Sequence, residues 1–143
     1  VLLLARRKAL AVARRHPRDI VLGADTIVVC RGEIIGKPRN LADSARILGI
    51  LNGRWQRVYT GVAAAANGGK TIAAEAVVSR VKARRLDAEH LKSLAGKHMD
   101  KAGAYAVQDR DDPLVERIKG PLDNVIGLPV DAVRRVLARL AGP

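Results

Sequence analysis

The chain has 143 residues, 48% of them hydrophobic, the size of one ordinary domain with apolar material for a core, so disorder is not its default. No run of about 18 apolar residues escapes interruption by Arg, Lys or Asp, which argues against a membrane-spanning helix. The 26 Lys+Arg against 14 Asp+Glu give a formal charge of +12 and point to anionic partners, whereas no Phe, one Trp and two Tyr leave little surface for stacking nucleic-acid bases.

The start, VLLLARRKAL, sets its basic residues behind its short apolar run, so a secretory leader is not expected. A helix is predicted over 2–15, with apolar positions all round the axis and hence cover on several sides, and with Lys8 between Leu4 and Val12 at i±4 spacing. Residues 20–29 form a β-branched run and 33–36 a short return strand. Cys30 is the single cysteine and reads as a small strand residue. With no disulfide partner and no zinc-like spacing, it fits a reducing, cytoplasmic compartment. Asn40 with Asp43 caps a helix over 41–51 whose Leu41, Ala45, Leu48 and Leu51 share a face, and Asn52-Gly53 ends it. Two long strands, 55–66 and 70–86, meet at Asn67-Gly68-Gly69. Asp87 caps a short helix carrying Leu91, Leu94 and Ala95, stopped by Gly96. Strands follow over 104–108 and 114–118. Pro129 then opens a helix with Val133, Val136, Leu137 and Leu140 on one face. This alternation predicts an α/β protein with a mixed sheet.

The first hairpin holds the residues best suited to chemistry. A three-residue loop, Cys30-Arg31-Gly32, would pair Val29 with Glu33 and set Asp25 opposite Lys37 on one face, although a slip of one residue would turn them apart. Two readings stay open. One is a structural ion pair at a sheet end. The other is a phosphate site in which lysine neutralises charge while aspartate holds a divalent metal or activates water. Arg80, Lys82 and Arg84 alternate with Val81 and Ala83 as on the solvated face of a half-buried strand, a nucleic-acid groove being the lesser reading. Trp55 and Tyr59 read as packing on one strand face, and His16, His90 and His98 share no metal-ligand spacing.

The segments ARRKALAVA, LGADTIVV, GEIIGKP, LNGRWQRVYTGVA, DKAGAYAVQ and DNVIGLPVDAV, in this order across the chain, resemble the Maf family of nucleoside triphosphate pyrophosphatases. The resemblance implies cleavage of a nucleoside triphosphate between its α and β phosphates, with Mg²⁺ or Mn²⁺, to a monophosphate and pyrophosphate. It implies that Asp25 is catalytic, as proton acceptor or through the metal, and that Lys8 and Lys37 hold phosphate oxygens. Thr26 and Gln108 fall at the positions that separate subfamilies, and this pair is similar to the branch acting on dTTP and UTP. A glutamine amide both donates and accepts, as the adjacent carbonyl and N–H of thymine or uracil require. Asp100 and Lys101 would line the cleft or form an exposed salt bridge. The implied architecture is an elongated mixed sheet flanked by helices, two lobes around a central cleft, in a homodimer. Neither a membrane nor nucleic acid is the expected partner.

Two departures qualify the resemblance. Family members carry a first strand and a Ser-x-Ser-Pro-Arg-Arg loop that these 143 residues do not include, so the expectation is one Maf-like domain over 1–143 lacking its phosphate-binding loop. Arginine forks bind phosphate bidentately in a way a lone lysine does not replace, which predicts little or no catalysis from these 143 residues alone. Asp109 also follows Gln108 where the family usually has glycine. Two alternatives follow: a catalytically impaired nucleotide-binding remnant, and a basic nucleic-acid-binding module supported by charge alone.

Overall fold

A computed structural model of the chain describes residues 1–107 and 113–142. In chain order the described elements are α1 (Leu2–Ala13), β1 (Val21–Cys30), β2 (Glu33–Ile35), α2 (Leu41–Leu51), β3 (Trp55–Ala66), β4 (Thr71–Ala83), α3 (Ala88–Leu94), β5 (Val115–Lys119), α4 (Leu122–Ile126) and α5 (Val130–Ala141). The strands form one sheet in the order β2-β1-β3-β4-β5. The expected α/β class, a sheet flanked by helices, is what forms. The sheet is antiparallel rather than mixed, because tight hairpins join β1 to β2 and β3 to β4, and β5 runs back along β4. Among the described residues no helix is long and apolar enough to cross a membrane.

The first hairpin corrects the counted register. Cys30 pairs with Glu33, Val29 with Ile34 and Val28 with Ile35. The turn is therefore the two-residue Arg31-Gly32, both at positive φ (53° and 77°), the mirror-image geometry whose twist matches the flanking strands. Glycine adopts that backbone freely, and Arg31 does so at a cost of roughly 1–2 kcal/mol. The ladder stops at Ile35, so strand pairing does not carry Lys37 to a position opposite Asp25.

Contacts divide the chain into two compact units. The first comprises Val1–Thr26, Tyr59–Val78 and Asp123–Pro143, the second Ile27–Val58 and Ser79–Leu122. In the first unit, alternation along β3 sends Ala63 and Ala65 to one face, against Ala5, Ala9 and Ala13 of α1. Val62 and Ala64 face the other way, against Val133, Val136, Leu137 and Leu140 of α5. The α5 face is the one its spacing predicts. That of α1 is not: it buries a single alanine stripe, and Leu2, Leu3, Leu4 and Val12 stay exposed. Asp123 joins the last two helices, its backbone oxygen accepting from Gly127 and Leu128 at 3.0 Å and its Oδ2 from the first amide of α5 at 2.8 Å.

In the second unit, α2 spans the predicted residues. Asn40 Oδ1 accepts the Asp43 amide at 2.8 Å, and Asp43 Oδ2 accepts the Arg39 amide at 3.0 Å. The buried face of α2 is Ser44, Ile47, Leu48 and Leu51, whereas Leu41 is exposed. Ser44 is tolerated inside because its hydroxyl accepts the Gly96 amide at 2.9 Å. Cys30 is buried, as a small strand residue should be, and burial pushes its thiol pKa up. Residues 102–104, expected to lead into a strand over 104–108, make a short 3₁₀ turn with Ala104 at φ 58°. The far end of that expected strand lies outside the described residues.

Candidate active site

Small residues bring the chemistry of the first unit together. A Cβ on Gly23 would overlap the carbonyl oxygen of Ala5 and lie 2.7 Å from the Ala9 nitrogen, so α1 rests directly on the backbone of β1. Only a glycine facing alanines permits that approach. Lys8, on the turn of α1 between Ala5 and Ala9, consequently reaches the strand. Its Nζ donates to Asp25 Oδ1 at 2.9 Å and to the Ala24 carbonyl oxygen at 3.0 Å.

The two partners differ in exposure. The Lys8 side chain is 56% exposed and that of Asp25 13%. Asp25 Oδ2 is buried and has no hydrogen-bond partner among the described residues. A carboxylate oxygen withdrawn from water without a donor costs free energy, about 1–3 kcal/mol or more, which a proton, a cation or a water-derived proton would recover. The carboxylate is thus anchored by one oxygen and chemically unspent at the other.

Thr26 follows on the same strand. Its Oγ1 lies 2.9 Å from Thr60 Oγ1, and Thr60 donates to the Asn124 carbonyl oxygen at 3.3 Å. Both Thr60 and Asn124 are fully buried. Neither Thr60 nor Asn124 is marked as functional by a local motif. The signal was present only as the threonine of LNGRWQRVYTGVA and the asparagine of DNVIGLPVDAV, which lie 34 residues from Thr26 and 64 from Thr60 respectively.

The structure places the remaining expected site residues as follows. Lys8, Asp25 and Thr26 come together in the first unit. Lys37 belongs to the second, exposed just after β2. Gln108 lies outside the described residues. Lys101 Nζ is 3.5 Å from Asp100 Oδ2, an exposed ion pair between sequence neighbours. His16 and His90 pair locally with Asp19 and Asp87. No group of three or more His, Cys, Asp or Glu able to hold a metal occurs among the described residues.

Comparison with known proteins identifies the family of the chain. The sequence pattern described as "Maf: Maf-like protein" matches residues 1–140. A dTTP/UTP pyrophosphatase of Elusimicrobium minutum is 48% identical over 134 residues, covering 94% of this chain and 73% of that protein. A dTTP/UTP pyrophosphatase of Symbiobacterium thermophilum is 42% identical over 140 residues, 98% of this chain and 72% of its own length. That of Geotalea uraniireducens is 43% identical over 142 residues, 95% and 73% respectively. With the family pattern running almost from end to end, this chain belongs to the Maf-like protein family.

Proposed function

We propose that the protein is a nucleoside triphosphate pyrophosphatase that takes dTTP and UTP, water attacking the α phosphorus to give the nucleoside monophosphate and pyrophosphate. One observation carries this reading: a mostly buried carboxylate, Asp25, fixed through one oxygen by Lys8 and unpartnered at the other. Oδ2 is the atom that would take the proton of the attacking water. The Lys8 ammonium, exposed beside it, offsets the repulsion that a lone carboxylate would exert on an incoming polyphosphate. Lys37 would neutralise further phosphate charge, and Thr26 with Gln108 would read the base. The shared membership with relatives named dTTP/UTP pyrophosphatase supports the choice of substrate.

A divalent metal, Mg²⁺ or Mn²⁺, belongs to the same proposal. The donor set fits an ion held by one carboxylate and completed by substrate phosphates and water, the usual habit of Mg²⁺ at phosphates, rather than one caged by protein ligands. Asp25 Oδ2 would hold it in place of taking the proton itself, the second of the two roles open to that oxygen. Bound there, the ion would draw charge from the phosphate oxygens and lower the pKa of water.

The test is pyrophosphate release from UTP and dTTP in the presence of Mg²⁺, run beside Asp25→Asn. Turnover by the parent, lost in Asp25→Asn while UTP still binds by calorimetry, supports the reading. An Asp25→Asn protein that keeps most of its turnover removes Asp25 from the chemistry. UTP binding without any pyrophosphate release leaves a nucleotide-binding protein. Homodimerisation is part of the same reading, and sedimentation equilibrium measures it.

A further inference from the structure

The outward sheet face of the second unit carries a cation array that the strand register extends from Arg80 and Lys82 on β4 to Arg117 and Lys119 on β5. Gln56 and Val58 on β3, and Ser79, Val81 and Ala83 on β4, are buried. Trp55, Arg57, Arg80 and Lys82, at the alternate positions, therefore point the other way. On β5, Lys119 pairs with Arg80 and Arg117 with Lys82. Directly opposed residues share a face, so Arg57, Arg80, Lys82, Arg117 and Lys119 lie together with Trp55, and the carboxylate adjoining them is Glu116, the exposed extra residue where the β4–β5 register shifts.

Such a face opposes the stability of its own sheet. Like charges directly across a ladder are unfavourable, and two such pairs occur in succession. Partial relief comes from Trp55, whose ring centroid lies 5.0 Å from both the Arg80 guanidinium and the Lys119 ammonium. Lys82 donates to the Gly53 carbonyl oxygen at 2.7 Å. No ion pair with a carboxylate engages any of the five cations among the described residues. An anionic partner would relieve what the fold leaves uncompensated.

We propose that this face binds single-stranded nucleic acid through its phosphate backbone. Neighbouring strands stand about 4.8 Å apart and alternate residues about 6.7 Å apart along each strand, so β4 and β5 offer a two-dimensional grid of positive charge. A repeating polyanion engages such a grid at several points at once. A nucleoside triphosphate, with its charge at one end, engages only one corner. Guanidinium forks at 57, 80 and 117 suit phosphate oxygens, and Trp55 supplies an aromatic edge beside them. The grid belongs to a five-stranded sheet, not to a helix or a free two-stranded ribbon of the kind that enters a duplex groove, which favours a single strand. The proposal uses none of the residues assigned to hydrolysis and stands whether or not UTP is the substrate.

The test is fluorescence anisotropy with a labelled oligothymidylate of about 16 nucleotides. Binding should weaken with salt at a log–log slope of about −3.5, from roughly 0.7 per phosphate neutralised by five cations. The triple variant Arg80→Gln, Arg117→Gln, Lys119→Gln should flatten that slope by about 2 and lose about tenfold or more in affinity at low salt. Its thermal midpoint should change little, because the like-charge pairs and the Trp55 contacts that relieve them are removed together, and this separates lost binding from lost fold. Saturating UTP should leave the complex intact. Affinity unchanged in the triple variant overturns the proposal. So does tighter binding of a duplex of equal length, or displacement by polyglutamate as effective as by unlabelled oligonucleotide.

Discussion

Thr26 Oγ1 and Thr60 Oγ1 lie 2.9 Å apart, and the direction of their hydrogen bond follows from the next partner in the chain. A carbonyl oxygen only accepts, so the single hydroxyl proton of Thr60 goes to Asn124 at 3.3 Å. Thr26 must then donate to Thr60, and it presents lone pairs, not a proton, to whatever binds beside Asp25. Thr60→Val removes the acceptor of one bond and the donor of the other at a fully buried position. The expected outcome is a loss of about 1–3 kcal/mol in urea unfolding together with a raised KM for UTP. Thr60→Ser keeps both hydrogen bonds and should restore the KM, which a merely space-filling role for Thr60 would not require.

Lys8 and Asp25 allow charge and stability to be separated. Their ion pair at 2.9 Å involves a lysine more than half exposed and screened by solvent, but Lys8→Met also takes the donor from a mostly buried carboxylate, so unfolding free energy should fall by about 1–3 kcal/mol. The same substitution takes away the positive charge beside the carboxylate. KM for the triphosphate should therefore rise at low salt, and the difference from the parent should shrink as ionic strength increases. A large fall in stability with an unchanged KM would make the pair structural.

The approach of α1 to β1 at Gly23 predicts a steric result. Gly23→Ala places a methyl group on the Ala5 carbonyl oxygen and 2.7 Å from the Ala9 nitrogen, where neither backbone atom is free to move alone. The helix must shift, at a cost of about 1–3 kcal/mol, and Lys8 shifts with it. Gly49→Ala is the matched control: nothing lies within 4 Å of its added Cβ and its backbone is helical. It should stabilise the protein by about 0.4–1 kcal/mol. Paired denaturant melts of the two variants, expected to move in opposite directions, check both statements.

How far the sequence spoke for the structure depends on which interaction decides each feature. The limits of α2 were legible because Asn40, Asp43 and Asn52-Gly53 act within a few residues of the helix they bound. Its buried face was not, since Ser44 is drawn inward by the Gly96 amide, a bond across 52 residues. For α1, apolarity pointed to the leucines, whereas the requirement for close backbone contact at Gly23 selected the alanines. The first hairpin was misread by one residue because Arg31 accepts positive φ, a cost that local preference counts against it and the paired strands outweigh. At the site, the resemblance carried Lys8, Asp25 and Thr26. The Thr60–Asn124 relay behind Thr26 depends on long-range hydrogen bonds that no local pattern marks.

Acid sensitivity should centre in part on Asp43. Its carboxylate accepts the Arg39 amide and the Arg46 guanidinium, in that order of influence, and these hold its pKa below the usual aspartate value. A group whose pKa is lower folded than unfolded binds more protons in the unfolded state over that interval, so stability rises with pH there. The contribution of Asp43 is complete above its unfolded pKa of about 3.9 and is lost as pH falls through the lower, folded value. Glu75, held down chiefly by Arg135, titrates in the same direction. Asp43→Asn keeps one acceptor oxygen for the Arg39 amide and removes the titration. Urea midpoints measured from pH 7 downwards should therefore be lower for the variant near neutrality and converge on the parent below about pH 4. Parallel curves across the whole range would show that the Arg39 and Arg46 contacts do not act through the charge of Asp43.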